Sequence, residues 1–234
     1  MGFYYFDFSY FLFMLPAIIF TMIAQIFVRR SFSKYSRVPS MRGLTGAQAA
    51  DAVARGGGAY GIAIRPVAGS LTDCFDPRDR SISLSRDVYS SSSIAAIGVA
   101  AHEAGHAVQN ATGYMPNKIR TALVPVTNFG SRLSMPLIII GLLLPTRFDF
   151  LVYAGIIMYS LVVLFELVTL PVEINASRRA IRALGESQIL YEDELHGAKT
   201  VLTAAAMTYL AASFTALLNI LRLVFIANSR RSDN

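Results

Sequence analysis

Residues 150–170 read FLVYAGIIMYSLVVLFELVTL, twenty-one positions of which only Glu166 is charged. A helix of that length rises about 30 Å, the thickness of a bilayer's hydrocarbon core, so the stretch reads as a membrane-spanning helix. Three further apolar stretches accompany it. Phe8 to Val28 contains no Lys or Arg and has Gln25 as its one strongly polar side chain. Val124 to Pro145 is interrupted by Asn128, Ser131, Arg132 and Ser134; its most apolar part, Leu133 to Leu144, is short, so the span is expected to begin earlier. Val201 to Ala227 carries Asn219 and Arg222 near its end. Four spans are expected in all.

Composition points the same way. Hydrophobic residues make up 54% of the 234 and charged residues 15%, against about 25% charged in soluble domains. That balance excludes a disordered chain and an ordinary soluble domain. The net charge of +6 comes from cations beside apolar runs, as membrane flanks require, so nucleic acid is not an expected partner. Cys74 is the single cysteine, which excludes an intrachain disulfide. The first cation is Arg29, after the first apolar stretch, and no small-residue cleavage site follows, so this stretch is expected to be a retained anchor.

Arg29, Arg30, Lys34, Arg37 and Arg42 crowd the exit of the first span, which places the following segment in the cytoplasm by the positive-inside rule. Two more crossings return Arg178, Arg179 and Arg182 to that side. Arg230 and Arg231 run against the rule if the last segment crosses once, leaving open a re-entrant or surface-lying final helix. The expected organisation is an anchor (1–28), a cytoplasmic domain (29–123), two membrane helices (124–170), a cytoplasmic helix (171–200) and a final membrane helix with its tail (201–234), all in the cell membrane.

Within the polar portion, Thr45 and Gln48 form a capping-box pattern ahead of a short helix ended by Gly56, Gly57 and Gly58. Gly61 to Val67 and Arg80 to Ser85 alternate apolar and polar residues, with Asp76, Pro77 and Asp79 as turn formers between them; a β-hairpin or small sheet is expected. Ser90 to Ser93 then supply a cap for a helix over Ile94 to Asn110, stopped near Gly113.

That helix contains His102, Glu103, Ala104, Gly105 and His106, the pattern H-E-x-x-H. Positions four apart share a helix face, so both imidazoles reach one Zn²⁺, and Glu103 stands beside them to take a proton from water. Small neighbours, Ala100, Ala101, Ala104, Gly105 and Ala107, are read as leaving room for the metal. A catalytic zinc takes a third protein ligand. Gln109 and Thr112 occupy the positions where the extended metzincin pattern has Gly and His, which excludes that class. Glu173, Glu186, Glu192, Asp193, Glu194 and His196 are the candidates on the same side of the membrane. Glu173 stands out, just past the third span on a helix expected to restart at Pro171.

Three stretches, LTDCFDPRDRSISLS (71–85), SSSIAAIGVAAHEAGHAVQ (91–109) and LVTLPVEINASRRA (167–180), closely resemble the YugP-type family of membrane zinc metallopeptidases over nearly the whole chain. More distantly, E-I-N-A-S at 173–177 is similar to the E-x-x-A-D segment of HtpX-type membrane proteases, whose Glu is the third zinc ligand. The resemblance implies a small cytoplasmic α+β zinc domain of the minimal gluzincin kind on a mostly α membrane protein. It implies Zn²⁺ held by His102, His106 and Glu173 with Glu103 as general base. Ser177 stands where the HtpX-type proteins have Asp, and Cys74 where closer relatives are expected to have His. Ser177, Asn175, Cys74 and Arg178 are the candidates for supporting the ligands or facing substrate.

The implied activity is hydrolysis of membrane or membrane-associated proteins near the cytoplasmic surface, the partners being a protein or peptide substrate and the lipid bilayer. The strand around Arg80 to Ser85, or its neighbour, is expected to pair with extended substrate. The alternative is a non-catalytic zinc-binding scaffold or chaperone-like protein, which a fourth ligand from Cys74 or His196 would mark. A transporter lined by Glu166 and Arg132 lacks the repeats such folds carry.

Overall fold

A computed structural model describes residues 2–70 and 72–232. Met1, Leu71 (the first residue of the first motif above), Asp233 and Asn234 lie outside the described residues. The elements are α1 (Gly2–Tyr35), α2 (Gly46–Gly56), β1 (Ala63–Val67), β2 (Cys74–Asp76), β3 (Ser81–Ser85), α3 (Arg86–Tyr89), α4 (Ile94–Ala111), α5 (Met115–Leu143), α6 (Asp149–Glu186) and α7 (Glu192–Ser232). The protein is mostly helical, and α1, α5, α6 and α7 are long and apolar enough to cross a membrane. The chain forms two compact units. One holds the chain up to Ile23, Ile119–Leu170 and the chain from Thr208; the other holds Ala24–Lys118 and Pro171–Met207.

In the first unit, Gly155 lets α6 lie against the backbone of α5, since a Cβ there would meet the Ser134 carbonyl oxygen at 2.8 Å. The Ser213 hydroxyl of α7 donates to the Glu166 carbonyl of α6 at 3.2 Å, and Arg230 Nε lies 3.3 Å from Asp149 Oδ1. From Ser213 to Arg230, and from Glu166 back to Asp149, is seventeen residues on each helix, a rise of about 26 Å. The last helix therefore runs antiparallel to α6 over nearly a hydrocarbon thickness. Arg230 also donates to the Gly141 carbonyl at 2.8 Å and to that of Leu144. Glu166 has Arg120, not Arg132, as the cation acting on it, and Arg132 is exposed.

The second unit is built on α4. Ser93 caps it, its Oγ accepting from the Ala96 N–H at 3.2 Å, and Ile94, Ile97, Ala100, Ala101, Ala104 and Ala107 are buried in the core. The capping box at Thr45 and Gln48 is formed, and α2 buries Ala49, Ala50, Val53 and Ala54 in the same core. Ile82 and Leu84 of β3 complete it, with Ala180, Leu184 and Leu190 from the later part of the chain.

One local expectation is met in one of its two forms, and another is corrected. Of the hairpin or small sheet expected, the small sheet forms: β1 and β3 pair in parallel, Ala63 opposite Ser81 through Val67 opposite Ser85. The turn at Pro77–Arg80 joins β3 to the three-residue β2 instead, which pairs antiparallel and places Cys74 opposite Ser83; the sheet order is β1-β3-β2. Strand β3 is therefore central and has no edge for substrate. Helix α6 does not restart at Pro171 but runs through it, the proline lying on an exposed face.

Candidate metal centre

Two helices of the second unit, α4 and the later half of α6, supply every group of the centre. Their approach is set by Gly105. A Cβ at that position would meet the Ala176 carbonyl oxygen at 2.5 Å and its Cα at 3.2 Å. The small residues of the motif thus serve helix packing: Ala100, Ala101, Ala104 and Ala107 fill the core, and Gly105 brings the α6 backbone against α4, correcting their reading as a metal cavity.

That contact places the Glu173 carboxylate between the two imidazoles. Its Oε2 lies 3.2 Å from His102 Nε2 and 3.4 Å from His106 Nε2, the two rings standing nearly perpendicular with centroids 4.7 Å apart. One ligand atom from each of the three residues falls within 4.8 Å of the others. Tetrahedral zinc with bonds of about 2.0–2.1 Å has ligand atoms about 3.3 Å apart, so the two His–Glu separations match the edges of such a tetrahedron. Nitrogen and carboxylate donors are also the set zinc takes. Glu173 is buried, its side chain 2% exposed. Burial pushes its carboxyl up, but hydrogen bonds from His102 and His106 and their charge prevail, holding it well below the usual carboxylate range.

Around this cluster, His102 Nδ1 lies 3.0 Å from Ser177 Oγ, and His106 Nδ1 lies 3.1 Å from Gln109 Oε1. Gln109, fully buried, donates through Nε2 to the Val172 carbonyl at 2.8 Å and to Asn175 Oδ1 at 3.0 Å. Asn175 Oδ1 also accepts from Arg179 Nε at 2.8 Å, and that guanidinium sits over the Tyr114 ring. Arg178, the arginine singled out in the sequence, is exposed; Arg179 is the one joined to the site.

Cys74 is an exposed thiol on β2 and does not join the donor cluster. Partial burial pushes its thiol up, and the charge of Glu103 adds to this, followed by Asp76, Asp73 and Asp79. His196 is exposed on α7 and also stands apart from the cluster. Sequence reasoning missed Gln109 as a contributor, treating it only as a departure from another family's glycine. The available signal was its position, three residues beyond His106 on one helix face and polar amid Ala107 and Val108.

Two imidazoles from one helix and a carboxylate from a second thus form a His-His-Glu group of the kind that could hold a metal ion. Over residues 10–228 the chain matches the family described as "Putative neutral zinc metallopeptidase", and it belongs to that family. It is similar to the "Putative membrane protease YugP" of Bacillus subtilis (strain 168), 41% identical over 211 residues that cover 90% of this chain and 93% of that protein. No solved structure shows a significant match.

Proposed function

We propose that the protein is a membrane-embedded zinc endopeptidase whose His102, His106 and Glu173 hold the metal and whose Glu103 is the general base. The observation that carries this reading is the placement of Glu173 Oε2 at 3.2 and 3.4 Å from the two imidazole nitrogens. The cluster has three donors and no fourth among the described residues, which favours an open catalytic position over a closed structural one. Bound zinc would supply a Lewis acid for the scissile carbonyl and bring the pKa of a water near neutrality. Glu103 takes the proton of the attacking water and gives it to the leaving nitrogen, so the peptide bond is exchanged for a carboxylate and an amine.

The substrate is proposed to be a membrane or membrane-associated protein cut near the cytoplasmic surface. Glu173 follows Leu170, the end of the third apolar stretch, by three residues, about 4.5 Å of helical rise. An extended segment is proposed to add to the outer edge of β2, the edge strand that packs beside α4. Cytoplasmic orientation rests on the cations after the first span.

The test uses the full chain in detergent, with metal analysis and a membrane-protein substrate. Glu103→Gln should keep about one zinc per chain and lose hydrolysis, since the amide cannot take the proton. Glu173→Ala should lose both, and His196→Ala neither. Hydrolysis that survives Glu103→Gln at the wild-type rate would defeat the catalytic reading and leave a zinc-binding scaffold.

A further inference from the structure

Whether an imidazole can bind a metal through Nε2 depends on where its proton sits, and on His106 that position follows from residues whose hydrogen-bonding roles admit no alternative. The chain of contacts begins at Arg179, whose Nε–H can only donate. The atom of Asn175 that it meets at 2.8 Å is therefore the oxygen. That oxygen and the Val172 carbonyl, both acceptors, lie 3.0 and 2.8 Å from one end of the Gln109 amide, which must be the NH₂. The other end, facing His106 Nδ1 at 3.1 Å, is then the oxygen. An oxygen acceptor there requires a hydrogen on Nδ1. The neutral ring is left with its lone pair on Nε2, 3.4 Å from Glu173 Oε2. Two acceptors facing each other at that distance need a cation between them: the metal, or, without it, a second ring proton that makes the hydrogen bond to Glu173.

His102 has no such fixed partner. Ser177 Oγ, at 3.0 Å from its Nδ1, can donate or accept, so the serine leaves the tautomer of His102 open.

We propose that Gln109 is a positioning residue that, anchored through Asn175 and Arg179, holds His106 in the Nδ1–H tautomer and presents Nε2 to the metal; the proposal rests on the zinc-peptidase reading above. A buried amide performs here the orienting task that carboxylates and backbone carbonyls perform for many metal-bound histidines. Its full burial means that no water substitutes for it when it is removed.

The test compares the full-length protein with Gln109→Met, Gln109→Glu and Arg179→Met. Zinc affinity is read by competition with a chromophoric chelator, and the histidine tautomers by ¹⁵N NMR of metal-free protein at alkaline pH. In the wild type, His106 should carry its proton on Nδ1, against the Nε2–H preference of free histidine. Gln109→Met, similar in size but without an acceptor, should lose that tautomer and bind zinc roughly 10–100-fold more weakly. Gln109→Glu keeps an oxygen toward Nδ1–H but loses the NH₂ that donates to Val172 and Asn175, so it should keep the Nδ1–H tautomer while binding zinc more weakly than wild type. Arg179→Met leaves the buried core intact and should weaken zinc binding several-fold, so the relay stays testable if Gln109→Met fails to fold. Wild-type affinity in Gln109→Met, or a wild-type ring protonated on Nε2 and not on Nδ1, would overturn the relay. A wild type that binds no zinc yet shows the Nδ1–H ring would instead overturn the peptidase reading and leave the relay standing.

Discussion

Replacing Gly105 with alanine adds one methyl group at the seam between α4 and α6. The new Cβ would lie 2.5 Å from the Ala176 carbonyl oxygen, against the 3.4 Å at which ordinary contacts begin, a shortfall of about 0.9 Å. Because the obstruction is backbone, a rotamer change cannot relieve it and the helices must separate. Overpacking of this kind costs about 1–3 kcal/mol, while alanine returns about 1 kcal/mol of helix propensity. Global stability should therefore fall by no more than about 2 kcal/mol. The centre takes the whole displacement, since His102 and His106 ride on α4 and Glu173 on α6. Metal–ligand distances tolerate about 0.2 Å, so zinc affinity should drop roughly 100-fold or more, about 2.8 kcal/mol at 1.4 kcal/mol per tenfold. Gly98→Ala is the control on the same helix: its Cβ would meet Ala198 Cβ at 3.5 Å, an ordinary contact. Chelator competition and thermal unfolding should show Gly98→Ala binding zinc as wild type does, with an equal or higher midpoint. Gly105→Ala that matches Gly98→Ala in zinc affinity would refute the claim that this contact sets the site.

Cys74, the lone and exposed thiol, serves as a native reporter of orientation: a membrane-impermeant maleimide should miss it in intact cells and label it after permeabilisation, while Arg147→Cys should be labelled in both. Labelling of Cys74 in intact cells would overturn the cytoplasmic placement. The same thiol should alkylate slowly at neutral pH for an exposed cysteine, because burial and the Glu103 charge raise its pKa and leave less thiolate. Glu103→Gln removes one of the raising charges, so the rate at fixed pH should increase; an unchanged rate would show that Glu103 does not act on Cys74.

The spans were legible because hydropathy over twenty residues is a property of the chain itself, and α4 because Ser93 and the apolar run after it act locally. Strand pairing was not. Alternation in Gly61–Val67 and Arg80–Ser85 marks strands, and Pro77 marks a turn, but neither says which strand the turn joins; β2 is too short for alternation to register. Pro171 misled because the rule that proline ends helices weakens where the ring faces outward and the packing of Val172, Ala176 and Ala180 carries the helix on. At the site, the i, i+4 spacing of His102 and His106 shows in sequence, whereas the hydrogen bonds of Gln109 to Val172 and Asn175 join residues 63 and 66 positions apart and appear only on folding.

The placement of the donors on α4 and α6 also has a consequence in time. His102 and Glu173 are separated by 71 residues, among them all of α5 and the apolar stretch of α6. A ribosome making about 5–20 residues per second needs roughly 4–14 s to cover that interval. Throughout it the nascent chain carries a histidine pair without its carboxylate and an α4 without the α6 backbone that packs on Gly105. No complete donor set exists until two further apolar stretches have been made, so the order of the chain delays metal capture until the membrane portion between the two halves of the site has been synthesised.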